Sequence, residues 1–222
     1  MDLTGKRLVV TGANGSLGRA VVSKIEECGG TAVKLDVQFG DRADALSKQV
    51  DLTNEAETKA CFDAIGDFDA VLNLAGGFAM GLSTFDTSDE QWDHLFKLNV
   101  ATLRNTLKAA VPALVAKGAG SIVNVGAYGA LSGGGDLSAY CASKSTVMRL
   151  TESLSEELKH QGVNVNAVLP TVIDTPPNRA GMPDADFDAW VSPEKLASVI
   201  CFLASDAASA VHGALVPVRG LS

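Results

Sequence analysis

Short apolar runs alternate with segments of helical periodicity along the whole chain. The first run, Leu8–Val10, ends at a glycine-rich turn, and beyond Gly18 apolar residues recur at helical spacing as far as Cys28. Further runs predict strands at 31–36, 49–52, 70–74, 121–125, 163–169 and 214–217. This alternation predicts an α/β fold: a Rossmann-like, doubly wound parallel sheet of about seven strands, with helices on both faces.

Capping residues and periodicity place the other helices. Asn54, Ser88 and Ser192 have the form of N-caps, and they open predicted helices at 58–65, 88–117 and 192–205. A further helix is predicted at 138–161. The face predicted to be buried in the helix 88–117 carries Trp92, Leu95, Phe96, Val100 and Leu103. Residues 37–48 are polar and predict a loop. The segment 170–191 is rich in Pro, Asp and Met and predicts a cover over a site.

Composition narrows the possible partners and locations. The 222 residues, 46% of them hydrophobic, favour a single domain over 1–222. A net charge of −8 without a basic run disfavours nucleic-acid and anionic-membrane partners. The four cysteines are far apart and the three histidines are scattered, so we expect reduced thiols and no metal site. With no apolar run long enough for a membrane span and no signal sequence, we expect a cytoplasmic protein.

The glycine-rich turn is typical of a dinucleotide site. Gly12 permits a tight turn, Gly15 and Ser16 leave room for a diphosphate, and Gly18 lets the following helix pack on the strand. Asn14 and Leu17 complete the turn, and the helix start offers unpaired N–H groups to an anion. An ordinary strand–helix turn has the same pattern, so the turn alone does not settle the function.

Asp36 ends the second predicted strand, eighteen residues beyond Gly18. An acidic residue near this spacing accepts hydrogen bonds from the adenosine ribose and repels a 2′-phosphate, which favours NAD over NADP. A polar strand end is the alternative interpretation.

Tyr140 and Lys144 are the sharpest catalytic signal. They are four residues apart and share one helix face, just after the fifth predicted strand and its glycine-rich loop. An ammonium close to a phenol stabilises the phenolate, so we expect a lowered Tyr140 pKa and proton transfer coupled to hydride transfer. A surface pair on an amphipathic helix is the alternative.

With these motifs in place, nearly the whole chain resembles the short-chain dehydrogenase/reductase family. The matching segments are Thr11–Gly18 (TGANGSLG), Asn73–Gly76 (NLAG), Asn99 in KLNV, Tyr140–Lys144 (YCASK) and Leu169–Pro176. Departures from the family pattern are Ser16, Leu74 and Thr171, which stand where the family has glycine, asparagine and glycine.

The resemblance implies roles for individual residues. Tyr140 would be the proton donor, Lys144 would hold the nicotinamide ribose, and Asn99 would support a proton-relay water. Asp51 and Leu52 would lie near the adenine, and a homodimer or homotetramer is implied. The remaining cofactor contacts implied are Ala75, Gly76, Gly77, Pro170, Val172 and Thr175.

One departure concerns catalysis. Ala127 stands where the family has its catalytic serine, whose hydroxyl holds the substrate oxygen as negative charge develops. Three interpretations stay open: Ser132 or Ser138 replaces the serine, the protein binds NAD without catalysis, or the substrate does not need the hydroxyl.

A narrower resemblance favours the third interpretation. Leu169–Trp190, Leu74–Gly81 and the segment GAYGALSGG are similar to dihydropteridine reductases, which also have alanine at this position. The resemblance implies NADH-dependent reduction of a small molecule, quinonoid dihydropteridine. We also predict that Phe78 and Trp190 help to sandwich a planar ring, with local loop packing as the alternative interpretation. The alternatives are a general short-chain carbonyl or alcohol oxidoreductase and a non-catalytic NAD-binding redox sensor.

Overall fold

Seven parallel strands form the centre of the molecule. The structure is a computed structural model that describes residues 1–222. The strands are β1 (Arg7–Thr11), β2 (Thr31–Asp36), β3 (Ser47–Gln49), β4 (Ala70–Asn73), β5 (Gly120–Val125), β6 (Val163–Pro170) and β7 (Leu215–Val218). Their order in the sheet is β3-β2-β1-β4-β5-β6-β7, and every neighbouring pair is parallel. The predicted fold class is therefore confirmed.

Helices cover both faces of this sheet. They are α1 (Ser16–Glu27), α2 (Glu55–Ile65), α3 (Asp89–Phe96), α4 (Thr102–Lys117), α5 (Ser138–Leu158), α6 (Pro176–Gly181) and α7 (Pro193–Leu203). One apolar cluster joins α1 and α7 to the sheet, and a second joins α2 and α4 to the opposite face. None of the helices combines the length and the apolar character that a membrane crossing requires.

The predicted caps are confirmed. The side chain of Asn54 accepts hydrogen bonds from the N–H groups of Ala56 and Glu57. Ser88 and Ser192 likewise accept from the N–H groups three residues further on. These bonds satisfy N–H groups that have no partner within the helix, so each helix begins where its cap lies.

Some predicted boundaries were wrong. The third strand is Ser47–Gln49 rather than 49–52. The predicted helix 88–117 consists of α3 and α4, joined by a π-helical turn at Lys97–Ala101. Trp92, predicted on the buried face, is 36% exposed and stacks on Phe96, with ring centroids 5.6 Å apart.

Two buried amides tie the middle of the sheet to α5. Asn73 and Asn124 are register partners on β4 and β5, and Asn73 Nδ2 donates to Asn124 Oδ1 at 2.8 Å. Asn124 Nδ2 then donates to Thr151 Oγ1 on α5 at 2.9 Å. Because both strands carry active-site loops at their carboxyl ends, these bonds help to fix those loops relative to α5.

We expect Asn124→Leu to lower the free energy of unfolding by about 1–3 kcal/mol, because it leaves the buried Asn73 amide without its acceptor. Urea denaturation measures the loss. The double variant Asn73→Leu/Asn124→Leu serves as control and should recover part of it, since an apolar pair leaves no amide unpaired. A double variant that loses the sum of the two single losses would contradict this account.

Candidate active site

The turn after β1 packs closely on the end of β4. Gly12 has φ +65°, and a Cβ placed on it would lie 2.9 Å from the Ala75 nitrogen. Thr11 Oγ1 accepts hydrogen bonds from the N–H groups of Leu74 and Ala75, at 3.0 and 3.1 Å. A side chain at position 12 is excluded by backbone, which explains why glycine is needed there.

The same turn presents the start of α1 to a groove. A Cβ on Gly18 would lie 2.2 Å from the Gly12 carbonyl oxygen, so only glycine permits this packing. Gly15 is the N-cap, and no side chain caps the helix. The free N–H groups of the first turn, including those of Ser16 and Leu17, are suited to a diphosphate.

A cavity of about 440 Å³ extends from this turn along the carboxyl ends of β1, β2 and β4. Its size and polar rim suit the adenosine part of a dinucleotide. It brings together eight residues predicted to bind the cofactor. The lining residues are Gly12, Asn14, Gly15, Asp36, Val37, Gln38, Val50, Asp51, Leu52, Thr53, Leu74, Ala75, Gly76, Leu98 and Thr102.

The carboxylate of Asp36 is oriented by backbone N–H groups at the rim of this cavity. Its Oδ2 accepts from Asn14 N and its Oδ1 accepts from Val37 N, both at 2.8 Å. Asp36 thus occupies the position predicted for it. Asp51, on the other side of the cavity, accepts from Thr53 N at 2.9 Å, and hydrogen bonds from Thr53 hold the pKa of the Asp51 carboxyl below its usual range.

Two guanidinium groups also reach this rim, which sequence reasoning missed. Arg42 Nη1 donates to Asn14 Oδ1 at 3.0 Å, and Arg19 Nη1 donates to Asn14 O at 2.6 Å. Both arginines are exposed, and Asn14 also donates to Asp36. The rim therefore carries one carboxylate and two cations around a single asparagine. Arg42 lies six residues beyond Asp36, and its approach to Asn14 depends on the path of the loop between them.

Lys144 lies inside the site. Its side chain is buried, and Nζ donates to the carbonyl oxygen of Val125 at 2.9 Å. A Cβ on Gly76 would lie 3.3 Å from this Nζ, so the amine borders the loop after β4. Burial lowers the pKa of Lys144 to about 8.

Tyr140 precedes Lys144 by one helical turn on α5, as predicted. Burial raises the pKa of its phenol to about 12. The predicted lowering of the phenol pKa is therefore wrong for the chain by itself. Desolvation of the phenol dominates, and Lys144, with a pKa near 8 and its Nζ bonded to Val125 O, is already neutral where the phenol ionises.

Asn99 lies in the π-helical turn and is buried. Its Oδ1 accepts from Gly77 N at 2.9 Å, and its Nδ2 donates to Gly77 O and to Ser143 Oγ, both at 3.0 Å. Ser143 Oγ in turn donates to Tyr140 O at 2.8 Å. Asn99 thereby links the loop after β4 to the helix that carries Tyr140. A π-turn inside a helix often marks a functional position.

Ala127 is buried and packs with apolar residues beside the site. Its cluster contains Ala130, Cys141, Met148 and Leu169, and the Tyr140 side chain packs against it. Neither suggested replacement hydroxyl makes a hydrogen bond to Tyr140 or Lys144. Ser132 is exposed, and Ser138 Oγ is buried without a hydrogen-bond partner, about 200° around α5 from Tyr140.

The segment 170–191 is ordered by its own contacts. Val172 O accepts from Val191 N, and the Thr175 side chain caps α6. Arg179 makes a bidentate ion pair with Asp174 and lies over the ring of Phe187. Pro170 is buried at the end of β6. These contacts form a structured strap between β6 and α7.

The predicted sandwich of Phe78 and Trp190 is not present. Trp190 is buried and lies against Phe187, with ring centroids 4.8 Å apart. Phe78 is instead exposed and meets the ring of Tyr140 edge-on, with centroids 4.8 Å apart and an interplanar angle of 81°. The burial of Trp190 against Phe187 agrees with the alternative of local loop packing.

Comparison with known proteins identifies the family. A family model described as enoyl-(acyl carrier protein) reductase matches residues 2–220. The 3-oxoacyl-(acyl-carrier-protein) reductase of Vibrio harveyi is 30% identical and the L-xylulose reductase of Bos taurus is 29% identical. The first alignment covers 99% of this chain and 98% of that protein, and the second covers 99% and 97%.

A solved structure is similar throughout. A Beutenbergia cavernae protein assigned as an NAD(P)-dependent gluconate 5-dehydrogenase, with NADP bound at low occupancy, superposes with a TM-score of 0.90 at 28% identity. The match covers 99% of this chain and 97% of that one. NADP in this relative leaves the predicted choice of NAD over NADP undecided.

The names of these relatives describe a 3-oxoacyl reductase, a xylulose reductase and a gluconate dehydrogenase. They therefore favour the general carbonyl or alcohol oxidoreductase over the dihydropteridine reductase that the narrower resemblance implies. The family match spans nearly the whole chain, and the glycine turn, Asn99, Tyr140 and Lys144 lie together at one edge of the sheet. The chain therefore belongs to the short-chain dehydrogenase/reductase family, a family of nicotinamide-dependent oxidoreductases.

Proposed function

We propose that the protein reduces a small molecule with a nicotinamide dinucleotide and that Tyr140 supplies the proton. The observation that carries this proposal is the pair of the half-buried Tyr140 and the buried Lys144, one helical turn apart on α5, with Lys144 beside the loop at Gly76. The dinucleotide, when bound, supplies a hydride. The bare glycine turn and the cavity beside Asp36 fit its diphosphate and adenosine parts.

The chain's own groups account for the proton. Tyr140 is neutral at pH 7, as an ordinary phenol is, and burial raises its pKa further, so its hydroxyl is available as a proton donor. Lys144 is still mostly protonated at pH 7, since its lowered pKa lies near 8, and its ammonium donates hydrogen bonds. For a carbonyl substrate, one hydride and one proton convert C=O to CH–OH, which balances two electrons and two hydrogens.

We expect Tyr140→Phe to lower kcat at least 100-fold for any accepted substrate, because the variant removes the proton donor. Steady-state NADH or NADPH oxidation over a panel of ketones, sugars and quinonoid acceptors measures the effect.

Tyr128→Phe is the matched control, since it removes the other phenol of the chain, whose ring lies beside Arg219. Its activity should stay within about twofold of the original protein. Tight dinucleotide binding without turnover on any acceptor would instead support a redox sensor. An equal loss of kcat in Tyr140→Phe and Tyr128→Phe would contradict the proposal that Tyr140 is the proton donor.

A second candidate is reduction of quinonoid dihydropteridine. It is favoured by Ala127 and by the segment Leu169–Trp190, which is similar to dihydropteridine reductases. A carbonyl that becomes an alkoxide needs a donor beside it, whereas a conjugated ring spreads the developing charge. The apolar surroundings of Ala127 suit the second case.

Ala127→Ser distinguishes the two candidates. If the substrate is an isolated ketone, the new hydroxyl should raise kcat/KM for ketones by about 10-fold or more, because it supplies the missing donor. If the substrate is a quinonoid ring, activity with that ring should not rise. Ala130→Ser, in the same cluster, is the control for adding a hydroxyl to an apolar site.

For the cofactor we propose a preference for NAD, set by Asp36 and opposed by Arg42 and Arg19. The carboxylate is positioned to accept from ribose hydroxyls, and it repels a 2′-phosphate. The guanidinium groups at Asn14 attract the same phosphate. The preference is therefore a balance between groups of opposite charge.

We expect Asp36→Ala to tighten NADPH binding about 10-fold, because it removes the repulsion, and Arg42→Ala to weaken NADPH more than NADH. Dissociation constants for both dinucleotides, measured by fluorescence titration, give the result. Asp41→Ala is the control, since it removes an equal charge from the exposed turn Gly40–Arg42, which carries Arg42. Equal affinities of the original protein for NADH and NADPH would contradict the proposed preference, and an unchanged NADPH affinity in Asp36→Ala would contradict the role of Asp36.

A further inference from the structure

An exposed apolar segment follows β4 directly at the active site. Between Asn73 and Asp89 the chain forms neither helix nor strand, and four large apolar side chains there are open to solvent. Phe78 is 56% exposed, Met80 59%, Leu82 42% and Phe85 88%. A concentration of exposed apolar side chains beside a catalytic group is typical of a binding surface.

This segment is fixed at both sides of Phe78. Asn99 holds the N–H and the carbonyl of Gly77, and the Gly81 N–H donates to Asp136 O at 3.1 Å. Asp136 has φ +58°, and it is the non-glycine residue of the chain with positive φ. The backbone on which Phe78 is mounted is therefore anchored to the loop before α5 and to the π-helical turn.

Phe78 touches the proposed proton donor. Its ring meets Tyr140 edge-on at 4.8 Å, and more than half of the side chain stays open. Tyr140 also packs against the apolar cluster around Ala127. The phenol is thus bordered by the Phe78 ring and by this apolar cluster.

We propose that Phe78 is the specificity-determining residue of the substrate site and that it selects planar, conjugated ring acceptors such as quinones and quinonoid heterocycles. A flat ring stacks on the exposed face of Phe78 with its heteroatom beside the Tyr140 hydroxyl. This inference rests on the proposed function. The reaction balances: the ring takes one hydride from NADH or NADPH and one proton from Tyr140, and bulk water restores the phenol.

Phe78→Ala tests the proposal, with Phe85→Ala as the matched control. Phe85 lies in the same segment, is more exposed, and makes no aromatic contact with Tyr140. We expect Phe78→Ala to raise KM for 1,4-naphthoquinone about 10-fold, whereas KM for 2,3-butanedione changes less than about twofold. Phe85→Ala should leave both values within about twofold.

Binding without turnover gives an independent readout. The affinity for 2-naphthol, a planar ring that is inert to hydride transfer, should fall in Phe78→Ala and not in Phe85→Ala. In a Tyr128→Phe background Tyr140 is the sole phenol, so its ionisation is read from tyrosinate absorbance. Phe78→Ala should lower the pKa of Tyr140 from about 12 toward 10, because it exposes the phenol to water.

The outcomes separate the two proposals. Absence of turnover with every acceptor, together with loss of 2-naphthol binding in Phe78→Ala, would overturn the proposed function and support the ring site. Normal turnover with equal KM and equal 2-naphthol binding in the two variants would overturn the role of Phe78. A common change in oligomeric state in both variants, without a change in binding, would also overturn it, since the segment would then be an interface between copies of the chain.

Discussion

The side-chain amide of Asn99 holds the two halves of the active site together. It bonds to both backbone groups of Gly77 and to Ser143, so all of its contacts lie on the loop after β4 or on α5. A buried amide without partners would cost several kcal/mol, and here the oxygen and the nitrogen are both satisfied. Asn99 lies in the π-helical turn, which is wider than an α-helical turn and shifts the helical register at this residue. The position of Phe78 relative to Tyr140 therefore depends on this buried side chain together with the backbone bond from Gly81 to Asp136.

Burial favours the neutral forms of Lys144 and Tyr140. Because one side chain is a base and the other an acid, they make the stability of the fold depend on pH in opposite directions. Lys144 has a folded pKa below its unfolded value, so between about pH 8 and 10.5 the unfolded chain binds more protons and stability rises with pH. Tyr140 has a folded pKa above its unfolded value, so its contribution is present below pH 10 and is lost as the pH rises toward 12. At neutral pH the buried ammonium therefore opposes folding, as is common for groups kept for function.

Features fixed by local sequence were predictable. The strands follow from short apolar runs, and the caps at Asn54, Ser88 and Ser192 follow from residue type. The glycine turn and the spacing of Tyr140 and Lys144 are also local, and the structure places them at one edge of the sheet.

Features that depend on distant neighbours were not predictable. The spacing of apolar residues along the helix places Trp92 on the buried face. Its side chain is nevertheless partly exposed and stacks on Phe96. The lowered pKa expected for Tyr140 assumed an ammonium free to turn toward the phenol, and the Val125 carbonyl holds that ammonium. Arg42 gave no signal, because only the folded loop brings it to Asn14.

Ala127 sets a chemical limit that applies to either candidate substrate. Removing one donor from an oxyanion site typically lowers kcat by about 10²–10³. An isolated ketone would bear that loss here, because neither Ser132 nor Ser138 makes a hydrogen bond to Tyr140 and the Ala127 cluster is apolar. In a conjugated ring the electron pair of the hydride would be spread over several atoms, and under the proposed function the Tyr140 hydroxyl would protonate one of them. Alanine at position 127 would therefore impair ring reduction less than ketone reduction, and this supports the proposal that Phe78 selects a conjugated ring.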